Sequence, residues 1–303
     1  KRTQQILAAL NAPSPARLQL QGTVGALDCF VFAGTFQAQA RHYLIIASDK
    51  EEAAYLQNTL AGLLDKKPVR FFPDSFKRPQ YFEALDTANV LQRTETINKI
   101  TTSGAAGEII VTYPEALFEK VVAPYALEKT RIDINIKEKL DVDYLIEVLV
   151  EYGFRREEFV YEPGQFSVRG GIIDIFSYGN EYPYRVELFD EDVESIRVFD
   201  PLTQLSLRNI AKVSIVPNIN TQFSNEDKVS LFQVLPEETV VWASDLQTLL
   251  DRLQQCVEKA AEFAKEISIL DKSELAEIFR DRAFIRPVEV MEDLQRQSII
   301  CFN

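Results

Sequence analysis

Two arginines and a phenylalanine in the middle of the chain have the composition of a recognition site. In Tyr184–Phe189 (YRVELF), a period of two puts Tyr184, Val186 and Leu188 on one face and Arg185, Glu187 and Phe189 on the other. The first set is apolar or aromatic and suits a core. The second sets an arginine and a phenylalanine two pleats apart on the solvent side. A large aromatic there exposes apolar area, and beside an arginine it makes the composition of a binding hot spot. Arg169 stands in Val168–Arg169–Gly170–Gly171, where two glycines leave the backbone bare and the arginine unobstructed. The blander alternative pairs these arginines with local carboxylates. Residues 132–218 hold nine Lys and Arg against seventeen Asp and Glu.

Other residue sets point less clearly to chemistry. Gly22–Thr23–Val24–Gly25 is a glycine turn ahead of an apolar stretch, Ala26–Phe36, and such a turn can cradle phosphate at a helix start. A phosphate loop also needs a Lys followed by Ser or Thr. No Lys occurs between Arg17 and Lys50, and Asp28 would repel a nucleotide, so Gly22 and Gly25 read as a degenerate phosphate-loop position. Asp190, Glu191, Asp192 and Glu194 form a run that reads as a solvated turn, because a catalytic carboxylate pair needs burial to split its pKa values. The single histidine, His42, leads into an apolar strand and reads as a packing residue. Cys29, Cys256 and Cys301 are an odd count without CxxC spacing. They indicate neither a disulfide framework nor a zinc site, and a reducing compartment fits them best. The reading therefore expects no catalytic residue, no metal site and no cofactor in these 303 residues.

Composition bounds the rest. Lys plus Arg is 33 and Asp plus Glu 46, a net charge of −13, which makes a poor general binder of phosphate backbones. Hydrophobic residues at 46% exclude wholesale disorder. There is no apolar run long enough for a membrane helix, and no signal-peptide pattern opens the chain. The chain starts at Lys1, its one methionine is Met291, and its last residues look like an interrupted strand, so a piece of a longer protein is expected.

Three segments must position these residues. Residues 1–128 alternate helix and strand. Helices expected at 3–10, 49–64 and 89–101 alternate with apolar runs at 42–47, 69–72 and 108–112, the last followed by Pro114 and a short helix. Ser48 three residues before Glu51 reads as a capping box. Residues 129–218 change character. A helix over 142–152, capped by Asp141, is followed by strands expected at 158–161, 166–169, 171–176, 184–189 and 194–199. Residues 219–303 return to α/β, with a strand at 239–243, a long helix over 245–267 and a strand at 298–302; 217–225 reads as a linker.

The stretch Glu162–Asp200 carries a long and specific pattern: G-x-F-x-x-R-G-x-x-x-D-[IL]-F, then Y-R-[IV]-[ED]-x-F, an acidic turn, and I-x-x-[IV]-x-x-F-D. It resembles the module shared by the UvrB subunit of bacterial nucleotide excision repair and by the transcription-repair coupling factors. The Gly22–Gly25 turn and Val111–Leu117 fall in the expected order. The absent Lys–Ser/Thr pair, and a connection over 73–87 (with Phe76, Tyr81 and Phe82) too short for a lesion-probing hairpin, favour the N-terminal, UvrB-like region of the coupling factors over UvrB itself.

The resemblance implies an α/β fold. It would be a degenerate P-loop-NTPase-like parallel-sheet scaffold (1–128 and 219–303) with an inserted small α+β antiparallel module (129–218). It implies UvrA as the partner of that module, with Arg169, Arg185 and Phe189 at the contact positions. It also implies contact with the remainder of the full-length chain, and a cytoplasmic location. RNA polymerase, DNA, ATP and magnesium would be engaged only through regions beyond residue 303. The expected function is non-catalytic recruitment in transcription-coupled repair. The alternatives are an intramolecular module restraining a translocase and a working UvrB-like ATP- and DNA-binding protein.

Overall fold

A computed structural model describes residues 2–23, 25–65, 67, 69–76, 86–102, 107–178, 180, 182–217, 227–270 and 284–302. Val24, Tyr81, Phe82, Gly179 and nearly all of the expected 217–225 linker lie outside the described residues. The chain divides into two compact units. The first comprises Lys1–Asn89, Lys99–Val121 and Lys228–Asn303; the second comprises Val90–Asn98 and Val122–Asp227. The second unit thus starts ahead of the expected 129 and runs past the expected 218. It also takes in the middle of a helix that sequence patterning assigns wholly to the scaffold.

In chain order the first segment contains α1 (Arg2–Leu10), β1 (Arg17–Leu20), α2 (Leu27–Ala38), β2 (Tyr43–Ile46), α3 (Lys50–Leu63), β3 (Val69–Phe71), α4 (Thr87–Thr102), β4 (Ile109–Thr112), α5 (Pro114–Phe118) and the short β5 (Val121–Val122). Then come α6 (Pro124–Thr130), β6 (Ile132–Asn135), α7 (Val142–Glu151), β7 (Arg155–Arg156), β8 (Gln165–Arg169), β9 (Ile172–Phe176), β10 (Tyr184–Phe189), β11 (Asp192–Phe199), β12 (Ser206–Ile210) and β13 (Lys212–Ile215). The last segment holds β14 (Lys228–Val229), α8 (Leu231–Val234), β15 (Val240–Ala243), α9 (Leu246–Leu270), α10 (Pro287–Arg296) and β16 (Ser298–Phe302).

The first unit is built on a six-stranded parallel sheet in the order β1-β16-β15-β2-β4-β3. The first and last chain segments therefore share one sheet: β15 and β16 lie between β1 and β2. Every residue of β2, β4 and β15 is buried, so these strands are covered on both faces and read as unbroken apolar runs. Phe32 of α2 meets Tyr43 and Trp242 edge-on, at ring distances of 5.0 and 5.3 Å. Among the described side chains of α9, Leu249, Leu253, Cys256 and Ala260 are buried, a stripe at helical spacing. Ala261, next to that stripe in sequence, is exposed.

The N-terminus of α3 differs from the sequence reading. Asp49, not Ser48, is its N-cap and accepts from Glu52 N–H at 2.8 Å. Glu52 then reaches back to accept from the Ser48 N–H and O–H at 2.6 Å each. The carboxylate three residues beyond Asp49 can turn back to the orphan donors, whereas Glu51 faces solvent.

The second unit is built on a six-stranded sheet in the order β12-β11-β10-β9-β8-β7, antiparallel except where β7 meets β8. Residues 158–161, expected as a strand, form none; instead they run over one face of this sheet. The other face carries the main core. Ile173, Ile175, Val186 and Ile196 pack there with Leu145 and Leu149 of α7 and with Ile134, Val213 and Ile215 of the antiparallel β6–β13 ribbon. Asp141 caps α7 as its sequence indicates, accepting from Tyr144 N–H at 3.0 Å.

Candidate docking surface

The outer face of the antiparallel sheet is organised in cross-strand rows, because residues paired across adjacent strands point to the same side. One row is apolar and covered: Phe176 and Phe199 are buried under Val160. The middle row runs Ser167, Asp174, Arg185, Arg197 and Asn209 across β8 to β12. The next runs Arg169, Ile172, Glu187 and Ser195. Phe189 ends β10 one pleat further on, where Leu188 N–H donates to Gly171 O at 2.8 Å.

Asp174 is the hub of this face, and its side chain is fully buried. Arg185 holds it with two donors, Nε to Oδ1 at 2.7 Å and an Nη to Oδ2 at 2.9 Å. Arg169 donates to Oδ2 at 2.6 Å and to the Glu158 carbonyl at 2.8 Å. Such forked, charge-assisted bonds are strong and directional. The Asp174 hydrogen bonds push the Arg185 pKa above its ordinary value. Each guanidinium also lies over a ring: Arg169 over Phe159 at 4.6 Å and Arg185 over Phe199 at 4.4 Å. Gln204, whose left-handed backbone (φ 62°) folds the 200–205 loop back, accepts from Arg185 through its side-chain and main-chain oxygens. Arg197 is paired with Glu187, which also accepts from Ser195 O–H at 2.7 Å.

The three sequence-singled residues therefore share a face but differ in exposure. Phe189 is 76% exposed. The Arg169 side chain is 33% exposed and that of Arg185 only 16%. The reading of Arg185 as a freely exposed side chain is corrected: it is held between a buried carboxylate and a phenylalanine ring. The carboxylate-pairing alternative describes both arginines. Asp174 itself went unnoticed, although the alternation in Ile172–Phe176 (IIDIF) already marks it as the one charge between two core isoleucines. Nothing in local sequence reveals that two arginines close over it. Gly171 has a steric role: a Cβ there would stand 2.8 Å from the Leu188 carbonyl oxygen.

The remaining candidates are placed as follows. Gly22 and Gly25 do lie between β1 and α2, both left-handed (φ 71° and 61°). A Cβ at either would meet nothing within 4 Å, so backbone sign rather than space favours glycine. Asp28 sits in the first turn of α2, where a phosphate would otherwise dock. The carboxyl ends of β3 and β4, a frequent ligand edge in parallel sheets, are filled by the protein's own groups. There the Tyr113 hydroxyl bonds Asp74, and Ser75 bonds Glu119. Asp190, Glu191 and Asp192 are exposed at the β10–β11 turn, with Lys139 3.1 Å from Glu191. Burial pushes the thiols of Cys29 and Cys256 up to about 11 and about 12, away from nucleophilic use. Among the described residues no group of three or more His, Cys, Asp or Glu could hold a metal, and no helix is long and apolar enough to cross a membrane.

The UvrB interaction domain family matches residues 132–220. This stretch is similar to the UvrB interaction domain. Its extent covers the whole six-stranded sheet, α7 and the β6–β13 ribbon. Similarity continues beyond the domain. The chain is 32% identical over 174 residues to the transcription-repair-coupling factor of Bacillus subtilis, covering 57% of this chain and 14% of that protein. It is 33% identical over 186 residues to that of Staphylococcus haemolyticus, covering 61% of this chain and 16% of that protein. The matches thus span less than a fifth of the curated relatives' length. They bear out the resemblance to the N-terminal, UvrB-like region of the coupling factors, and the stretch similar to the interaction domain is the part that presents the face described above.

Proposed function

We propose that this chain is a recruitment module of transcription-coupled nucleotide excision repair that docks UvrA through the outer face of its UvrB interaction domain. The observation that carries the reading is the state of that face: Phe189 is 76% exposed on a sheet whose opposite side is fully packed. Phe189 would bury its ring in the partner. Arg169, with a third of its side chain free, would reach a partner carboxylate while still tied to Asp174. Arg185 would act mainly by keeping the Asp174 hub neutralised beneath the contact. The module would act without catalysis, cofactor or metal of its own, in the cytoplasm, as one part of a longer chain. The exposed acidic turn beside Phe189 would add to encounter rate with a basic partner surface more than to affinity.

Titration calorimetry of the 303-residue chain against UvrA tests this. Binding is expected, with Phe189→Ala weakening it by about 1–3 kcal/mol as a hot-spot loss. A fully folded Phe189→Ala variant that binds as tightly as the parent would remove the face from the reading. No binding by the parent would remove UvrA as the partner.

A further inference from the structure

β12 forms one end of the antiparallel sheet, and among the described residues its ladder partner is β11 alone. Four of its five residues, Ser206 to Asn209, are exposed. Such a strand presents a row of main-chain N–H and C=O groups to any passing extended chain. This edge is also apolar. Leu202, Leu205 and Leu207 are 84%, 68% and 52% exposed. Leu207 is the extra residue where the register shifts between the Val198–Arg208 and Phe199–Ser206 pairs, so the bulge turns a leucine outward.

The charge here is the reverse of the chain's. Residues 201–217 contain Arg208 and Lys212 and no Asp or Glu, in a chain of net charge −13. Lys212 is tied to Asp133 at 2.7 Å, whereas Arg208 is exposed, and its side chain, near enough to Tyr184 to act on it electrostatically, makes no hydrogen bond or ion pair among the described residues. Two copies of this edge pairing across Arg208 would bring like charges together, which disfavours self-association.

We propose that β12 is a second docking edge, one that receives an extended acidic and apolar segment of a partner protein as an added strand. Main-chain bonds to β12 would supply affinity. Apolar side chains of the segment would cover the three leucines, and its carboxylates would meet Arg208. This edge is separate from the Phe189 end of the face, so the inference stands or falls independently of UvrA docking.

The probe is an acetylated, amidated nonapeptide alternating glutamate with valine, fluorescently labelled. Saturable anisotropy is expected on titration with the 303-residue chain, with slowed amide hydrogen exchange confined to the segment holding Ser206–Ile210. Arg208→Glu, checked for fold by circular dichroism, should weaken binding about tenfold, and a peptide with lysine in place of glutamate should recover it. A peptide N-methylated at alternate residues should not bind. Absence of saturable binding, undiminished binding of the N-methylated peptide, or slowed exchange elsewhere would each overturn the proposal. So would a concentration-dependent dimer in sedimentation that the β12 variant abolishes, because the edge would then serve a second copy.

Discussion

The two sheets of this protein handle their faces in opposite ways. In the parallel sheet of the first unit, Leu44 and Ile45 point to opposite sides, and both are buried. In the antiparallel sheet of the second, Ile173 is buried in the main core while its neighbour Ile172 lies in the partly exposed outer row. A parallel sheet needs long crossovers, and these cover both faces. An antiparallel sheet closes with short turns and can leave one side for other uses. The difference decides where sheet face is left over: the first unit has little to offer, and the second has one that is organised and partly exposed. That open face is not mere solvent boundary, because Asp174 in it is as buried as any core residue.

The comparison can be broken by substitution. The largest effect is expected in the first unit. Leu44→Ala and Ile45→Ala should each destabilise it by about 2–5 kcal/mol in denaturant unfolding, because both leave cavities. In the second unit, Ile173→Ala should fall in the same range of about 2–5 kcal/mol and Ile172→Ala well below it. Equal losses at 172 and 173 would erase the distinction between the sheets.

Arg185→Ala comes next, at about 3 kcal/mol, because it strips the buried Asp174 carboxylate of its forked partner. The loss follows because the Arg185 side chain is held between a carboxylate and a ring and is not freely exposed. Arg185→Lys should recover only part of the loss, since an ammonium cannot make the fork. A melting curve unchanged in Arg185→Ala would show that the hub is not structural. Phe189→Ala should stay within about 0.5 kcal/mol of the parent in stability, as an exposed substitution, while weakening UvrA binding.

The smallest effect concerns pH. Asp133 links β6 to β13. Burial alone would raise its pKa, but bonds from Lys212 and Ser214 and the nearby Arg131 charge leave it lowered. A lowered carboxylate contributes stability that is fully present above the ordinary Asp pKa and lost as pH falls through its own lowered value. Asp133→Asn should therefore cost below about 1 kcal/mol at neutral pH, and the gap to the parent should close in acid. A gap that stays constant with pH would assign the effect to packing instead.

Several elements were legible before any fold was known, and for identifiable reasons. The α7 helix declared itself through Asp141 ahead of an apolar stripe and Gly153 behind it. β10 declared itself by alternation, and the buried side of that alternation is the side that packs. The signal failed where a side chain's environment comes from distant residues. The stretch 158–161 has strand composition, yet its Val160 is used to cover Phe176 and Phe199 rather than to pair in a ladder. The α3 cap was misplaced by one residue because Ser48 and Asp49 are both competent caps, and only the path of the chain decides between them.

Local pattern alone establishes that two apolar-strand architectures follow one another along this chain. It also determined that Arg185 and Phe189 share a strand face, and that Gly22–Gly25 lacks the lysine and hydroxyl of a phosphate loop. These follow from period, residue type and spacing, which are local. Tertiary structure alone decided that the last segment inserts β15 and β16 between β1 and β2, and that Asp174 is buried beneath two arginines. It also decided that, of the three candidate contact residues, Phe189 is the one left largely bare. Burial of a charge depends on which partners converge on it, and those partners come from strands, loops and rings as far apart in sequence as Glu158 and Gln204.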